Sequence, residues 1–157
     1  MRVVVADTGP INYLVLIGRE EVLPALFEKV FIPSAVRDEL SRAETPEMVR
    51  DWIKEPPTWL DVRSPHEDDL DDGLENLDDG ERAALILVAS MEADLLLMDD
   101  RESTRVARGK GLRVIGRLRV LQLAARRGLV DLAESLERIK RTNFRYRQEL
   151  MDKLLDE

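Results

Sequence analysis

The sequence predicts an α/β protein with a central, mostly parallel sheet flanked by helices. Short apolar runs rich in β-branched residues, such as 2–7 (RVVVAD) and 30–33 (VFIP), have the composition of strands buried on both faces. Segments with helical spacing follow these runs, and strands that alternate with helices are typical of parallel sheets. With 157 residues and 44% hydrophobic content, we expect one domain spanning residues 1–157.

The first half of the chain has clear helix starts and stops. Thr8 follows the first strand as a cap, Pro10 fits a first helical turn and Gly18 ends that helix. Ser34 opens another helix after Pro33. The predicted elements here are helices over 8–18, 19–29, 34–42 and 45–57 and a strand over 59–63. The apolar residues predicted to face the core from the last two of these helices are Val36, Leu40, Met48, Val49, Trp52 and Ile53.

The second half begins with an acidic segment, 64–79, that contains no Lys or Arg and is expected to be a solvated, mobile connection. His66 lies in this polar setting, and no function is assigned to it. The elements predicted after it are an apolar helix over 79–93, a strand over 94–100, a helix over 101–111, a strand over 112–116 and helices over 118–127, 132–141 and 145–155.

Composition excludes several classes of function. The chain has no cysteine and one histidine, so disulfides, thiolate metal sites and histidine clusters are absent. No Walker or Rossmann glycine pattern is present, which argues against a nucleotide cofactor. No apolar run is long enough to span a bilayer and no signal-peptide pattern opens the chain, so we expect a cytoplasmic protein with no membrane partner.

Charge is distributed unevenly along the chain. The net charge is -8, but residues 1–81 carry 8 Lys and Arg against 20 Asp and Glu, whereas residues 82–157 carry 16 against 12. Between Arg101 and Arg127 there are nine basic residues and a single acid, Glu102. A stretch of this kind is either a solvated helical face or a surface that binds a polyanion. It starts directly after a pair of aspartates, and the second interpretation is favoured if those aspartates belong to a site that acts on a phosphate backbone.

Two buried strands end in aspartate, one at Asp7 and the other at Asp99 and Asp100. If these strands are parallel neighbours, their acids meet at one edge of the sheet, and Glu39 and Glu81 lie on helices next to strand ends. Converging carboxylates repel one another unless a divalent cation neutralises them, and oxygen-only ligands select Mg²⁺ or Mn²⁺. Two such ions about 3.5–4 Å apart can drive phosphodiester cleavage. For each acid alone, a cap or a turn explains the residue equally well.

Four motifs in order resemble those of a PIN domain, the ribonuclease fold of VapC-type toxins. They read ADTGPINYL, IPSAVRDEL, LDDGERAALILVAS and LLLMDDRESTRVARGKGLRVIG. The likeness is greatest to small prokaryotic PIN proteins in which GE opens the third motif and DDR the fourth, and it extends to RTNFRYRQELMDKLL. The resemblance implies a three-layer α/β/α fold and metal-dependent endonucleolytic hydrolysis of RNA that leaves a 3′-hydroxyl and a 5′-phosphate.

The resemblance also implies roles for individual residues. The metal-binding and catalytic acids would be Asp7, Glu39, Glu81, Asp99 and Asp100. Thr8 matches a position that supports the site through its hydroxyl. From their position directly after the aspartate pair, rather than from the resemblance, Arg101, Arg105 and Arg108 are expected to hold RNA. The third acid is more usually aspartate, so Glu81 departs from the common pattern. Between the two adjacent aspartates, Asp99 is slightly favoured as the metal ligand.

The implied partners follow from the same likeness. An unrestrained ribonuclease is harmful, so we expect a small antitoxin that covers the acidic groove, with its own Arg or Lys among the acids. PIN toxins commonly form homodimers, and the apolar side of 11–17 (INYLVLI) is either such a surface or plain core.

Two alternatives remain open. One is a catalytically silent PIN fold that binds nucleic acid, regulates, or holds a structural cation. The other is a phosphoryl-transfer protein, but no acid lies two residues after Asp7, as a haloacid-type phosphatase requires, and no clear lysine ends a later strand, as a receiver domain requires.

Overall fold

A computed structural model of the chain describes residues 2–64, 74, 76–142 and 155. Within these residues, five strands form one sheet in the order β3-β2-β1-β4-β5, and every neighbouring pair is parallel. The strands are β1 (Val4–Ala6), β2 (Val30–Pro33), β3 (Leu60–Arg63), β4 (Leu95–Leu97) and β5 (Val114–Ile115). The predicted parallel sheet is therefore confirmed.

Eight helices connect and cover these strands in the part of the chain that the structure describes. They are α1 (Thr8–Leu16), α2 (Val22–Phe27), α3 (Ser34–Leu40), α4 (Glu47–Lys54), α5 (Asp79–Met91), α6 (Arg101–Gly109), α7 (Arg117–Arg126) and α8 (Leu132–Lys140). Gly18 has a φ of 71°, a conformation that favours glycine, and it follows α1 as the sequence predicts. Pro24 is tolerated in α2 because it lies in the first turn, where the backbone N–H has no helical partner.

The helices form layers on both faces of the sheet. Side chains alternate along β1, so Val4 and Ala6 face one apolar cluster and Val5 faces the other. The first cluster contains residues of α1, α2, α3, α4, α7 and α8, whereas the second contains residues of α5 and α6. The predicted three-layer α/β/α arrangement is confirmed.

Burial agrees with most of the predicted core and corrects one residue. Val36, Leu40, Val49 and Ile53 are buried as predicted, but Met48 is 58% exposed because it lies at the edge of the apolar face of α4. In segment 11–17, the apolar residues Ile11, Leu14, Val15 and Ile17 are buried in the first cluster, so they form core rather than a free surface.

Parts of two predicted segments lie outside the described residues. These are 65–73 and 75 of the acidic segment, the first of which includes His66, and 145–154 of the last predicted helix. Among the helices that the structure does describe, none combines the length and apolar character needed to cross a membrane.

Candidate active site

Asp7 lies at the carboxyl edge of the sheet, at the end of its central strand. Its backbone N–H donates a hydrogen bond to the carbonyl of Leu97 over 2.8 Å, which ties the end of β1 to the end of β4. The side chain is buried, with 6% of the residue exposed, and Oδ1 accepts no hydrogen bond. A buried carboxylate oxygen without a partner is costly, so this position is unusual for a purely structural residue.

The surroundings of Asp7 oppose its ionisation. Burial raises the pKa of Asp7 to about 7, against the backbone N–H of Thr8, which lowers it. The charges of Asp78, Glu39 and Glu81 raise the pKa of Asp7 further. Three other carboxylates therefore act on the same buried acid.

Glu39 is held by hydrogen bonds from two different elements. The Thr8 hydroxyl of α1 donates to Oε2 over 2.5 Å, and the backbone N–H of Gly80 in α5 donates to Oε1 over 3.0 Å. A Cβ at position 80 would lie 2.5 Å from Oε1, so only glycine allows this approach. Glu39 thus binds at the N-terminus of α5, where the helix dipole favours a carboxylate.

Glu81 belongs to a capping box at the start of α5. The Asp78 side chain accepts a hydrogen bond from the Glu81 N–H over 2.7 Å, and the Glu81 side chain accepts from the Asp78 N–H over 3.0 Å. Burial raises the pKa of Glu81, the Ser103 side chain and the Asp78 backbone lower it, and the charges of Asp78 and Asp100 raise it. Glu81 is therefore both a cap and a member of the acidic group.

Asp99 and Asp100 have different surroundings. Asp100 caps α6, where its Oδ2 accepts from the N–H and the hydroxyl of Ser103 over 2.9 and 2.8 Å. Partial burial would raise the pKa of Asp100, but hydrogen bonds from Ser103 and Glu81 outweigh it and hold the pKa below its usual range. The charge of Asp100 also raises the pKa of Glu81, so the third and fourth acids act on each other.

Asp99 is instead paired inside the protein with Arg117. Its Oδ1 accepts from the Arg117 backbone N–H over 2.9 Å, and its Oδ2 lies 3.2 Å from Arg117 Nη1. Burial raises the pKa of Asp99, while the charge and backbone N–H of Arg117 lower it. Asp99 thereby caps α7, whose own N-cap residue, Gly116, has no side chain to do so.

Arg117 is the exception among the basic residues of 101–127. Only 4% of this residue is exposed, and its guanidinium lies 3.8 Å from the centre of the Tyr13 ring. Arg101, Arg105 and Arg108, by contrast, are exposed and line a groove of about 580 Å³ together with Asp99. The basic stretch therefore supplies one buried partner for an acid and three cations to an open groove.

Sequence reasoning missed three supporting residues, namely Asp78, Ser103 and Arg117. The spacing of Asp78 and Glu81 is that of a capping box, and the spacing of Asp100 and Ser103 is that of an N-cap, so both signals were present. The pairing of Arg117 with Asp99 joins residues 18 positions apart on different elements, and no local pattern reports it.

The donor set is suited to a hard divalent cation. Within the described residues, no three or more His, Cys, Asp or Glu side chains are arranged as a ready ligand group. The buried, unpartnered Oδ1 of Asp7 and the acids that raise its pKa are nevertheless the features that a cation would compensate. All the available donors are oxygens, which Mg²⁺ and Mn²⁺ prefer.

Comparisons with known proteins agree with this architecture. The sequence profile of the family DUF3368, described as a PIN domain, matches residues 3–157. The structure is similar to that of a PilT N-terminus domain protein from the hyperthermophilic archaeon Sulfolobus solfataricus P2, with a TM-score of 0.54 and 16% identity over 92% of this chain and 98% of that chain. At that identity the likeness shows the fold alone. A comparison with curated protein sequences found no match.

Proposed function

The chain belongs to the PIN-domain family, whose members are typically nucleases that use divalent metal ions, and we propose that it is an Mg²⁺- or Mn²⁺-dependent endoribonuclease. One observation carries the proposal. Asp7, at the end of the central strand, is a buried carboxylate with a free oxygen, and three further acids act on it. A cation bound there would neutralise charges that the protein itself leaves uncompensated.

The ion would be held by Asp7, Glu39, Glu81 and Asp100. The charges of Glu39 and Glu81 raise the pKa of Asp7, and the charge of Asp100 raises the pKa of Glu81. When bound, such an ion activates water and stabilises the leaving oxygen of a phosphodiester. Thr8 and Gly80 position Glu39 for this task.

Asp99 has a different part in the proposal. The guanidinium of Arg117 already compensates its charge, and its other oxygen accepts the Arg117 N–H, so we assign it as a positioning residue that fixes the start of α7. From the sequence, Asp99 is slightly favoured over Asp100 as the metal ligand. This proposal instead assigns Asp100 as the ligand.

RNA would be held by the arginine groove. Arg101, Arg105 and Arg108 lie four and three positions apart on α6, so they project from one face of the helix. Guanidinium groups bind phosphate oxygens without regard to sequence, and three of them next to the acids would hold the backbone of the strand that is cut.

The biological setting is part of the same proposal. We propose one PIN domain over residues 1–157, acting in the cytoplasm as the toxin of a toxin–antitoxin pair. Its antitoxin would place a basic side chain among the acids, since these carboxylates attract any cation that reaches them. If the protein is a homodimer, its interface lies away from the apolar side of 11–17, because that side is core.

An RNA cleavage assay tests the proposal. Purified protein is incubated with end-labelled mixed RNA in Mg²⁺, in Mn²⁺ and in EDTA, beside Asp7→Asn and the control Asp51→Asn, an exposed acid on α4. Cutting that requires both the metal and Asp7 is the expected result. The absence of cutting under every condition would contradict the nuclease and favour the silent nucleic-acid-binding alternative.

Metal binding by calorimetry separates the acids. We expect Asp7→Asn and Asp100→Asn to weaken Mn²⁺ binding at least tenfold and Asp99→Asn to change it much less. Unchanged binding in all three variants would contradict the carboxylate site itself.

A further inference from the structure

A second pocket, of about 440 Å³, lies beside Glu39. Glu39 belongs to α3, which follows β2, whereas the arginine groove lies beside α6, which follows β4. Since β2 and β4 lie on opposite sides of β1, the pocket and the groove flank Asp7 at the sheet edge. Its lining includes Asn12, Tyr13, Glu39, Arg42, Glu44 and Thr45, and we refer to it as the Glu44 pocket.

The wall of the Glu44 pocket is fixed by hydrogen bonds. The Thr45 hydroxyl donates to the carbonyl of Glu39 over 2.8 Å, and its backbone N–H donates to the carbonyl of Arg42 over 3.1 Å. Arg50 Nε of α4 donates to the carbonyl of Thr45 over 2.9 Å. The segment between α3 and α4 is thus held from both ends, which reduces the ordering that a ligand would otherwise have to impose.

Charge distinguishes the pocket from the groove. The groove has three guanidinium groups and one carboxylate, whereas the Glu44 pocket has two carboxylates, Glu39 and Glu44, and one guanidinium, Arg42. A phosphate is attracted to the first and repelled by the second. An RNA strand that passes over Asp7 would therefore bind the groove through its phosphate backbone and present an uncharged group to the pocket.

The hydrogen-bonding groups of the pocket lining limit which uncharged group of the RNA can bind there. The Glu44 carboxylate is exposed in the pocket lining, can only accept when ionised, and has two oxygens that can accept two adjacent donors. Arg42 offers donors, and Tyr13 offers part of an aromatic ring. The complementary ligand is planar, presents adjacent N–H donors and carries an acceptor as well.

We infer that the Glu44 pocket binds a guanine base next to the scissile phosphate, an inference that rests on the proposed function. The adjacent N1–H and N2–H₂ donors of guanine match the two oxygens of the Glu44 carboxylate, and its O6 and N7 match the guanidinium of Arg42. Uracil has one donor on its edge, and adenine and cytosine each have one amino group next to an acceptor. The pocket thereby selects the position of cutting, while the groove binds every sequence.

Binding in EDTA tests this without cleavage. Fluorescence anisotropy compares a labelled heptamer of uridines with the same RNA carrying one central guanosine or inosine, which lacks the N2 amino group. We expect the wild-type chain to bind the guanosine RNA about tenfold more tightly than the all-uridine RNA, the scale of one good base contact. Inosine should lose most of that gain.

Variants locate the effect. Glu44→Gln should abolish the guanosine preference, because an amide has only one acceptor oxygen, whereas Glu47→Gln, which changes an exposed acid at the start of α4 outside the pocket lining, should keep it. Urea unfolding of each variant shows whether it is folded, so that a loss of preference is not mistaken for a loss of structure.

The outcomes separate the pocket from the nuclease. Equal affinity for the guanosine and uridine RNAs, or a guanosine preference that survives Glu44→Gln, overturns the pocket and leaves cleavage untouched. A preference that requires Glu44 in a protein that cuts no RNA supports the pocket and contradicts the nuclease. No binding of any RNA overturns both.

Discussion

Replacing Asp7 with asparagine should change how the stability of the protein depends on pH. The folded protein raises the pKa of Asp7 from 3.8 to about 7, mainly through burial. Between these two values the unfolded chain has lost the proton that the folded protein still holds, so unfolding becomes easier as the pH rises. This penalty is absent below the unfolded pKa and complete above the folded one.

The size of the effect follows from the shift. Each unit of pKa difference corresponds to about 1.4 kcal/mol, so a shift of roughly three units lowers the free energy of unfolding by about 4 kcal/mol between pH 4 and pH 8. Asparagine has a similar shape and does not titrate. Asp7→Asn should therefore gain about 4 kcal/mol relative to the wild type over this interval.

Urea unfolding in EDTA at several pH values between 4 and 8 measures the difference. The control is Asp51→Asn on α4, where the same change removes an exposed carboxylate and should shift stability by less than about 1 kcal/mol at every pH. Saturating Mg²⁺ or Mn²⁺ should then stabilise the wild type at pH 8 by about 2–3 kcal/mol and leave Asp7→Asn nearly unchanged. If the difference in unfolding free energy between the wild type and Asp7→Asn does not change with pH, the argument is refuted.

Three further substitutions have defined outcomes. Gly80→Ala places a Cβ 2.5 Å from Glu39, so RNA cleavage should fall at least tenfold, and the gain in stability that alanine gives in an ordinary helix should be absent from urea unfolding. Arg117→Met leaves the buried Asp99 without its cationic partner and should lower the free energy of unfolding by about 3 kcal/mol. The double variant with Asp99→Asn should recover most of this loss, whereas simple additivity of the two changes would contradict the pairing. Thr8→Val removes one hydrogen bond to Glu39 and should cost about 1–2 kcal/mol by urea unfolding, whereas no loss would mean that the bond is dispensable.

Features that depend on neighbouring residues could be predicted from the sequence. The strand that ends at Asp7 and the helix that begins at Ser34 both follow from short-range pattern and turn chemistry. The meeting of β1 and β4 followed from one added rule, that such strands tend to be parallel neighbours, and the register of Val5 with Leu96 bears it out.

The partners of each acid could not be predicted, because they depend on side chains that approach from distant elements. Asp99 and Asp100 are adjacent in the sequence, yet one faces Arg117 of α7 and the other caps α6 through Ser103. A strand-end pair of this kind has two possible orientations, and only the packing of the helices that follow decides between them. Local pattern therefore located the acids but not their division of roles.

The cost of Asp7 is itself an argument for function. A buried carboxylate with an unpartnered oxygen, surrounded by acids that raise its pKa, weakens the fold at neutral pH without improving its packing. A change to asparagine would remove that cost, so stability does not explain why the residue is a carboxylate, and function does. A bound divalent cation would remove the same cost by neutralising the negative charge of Asp7. The effect of the metal on stability, measured with and without Asp7, therefore tests the site even before a substrate is known.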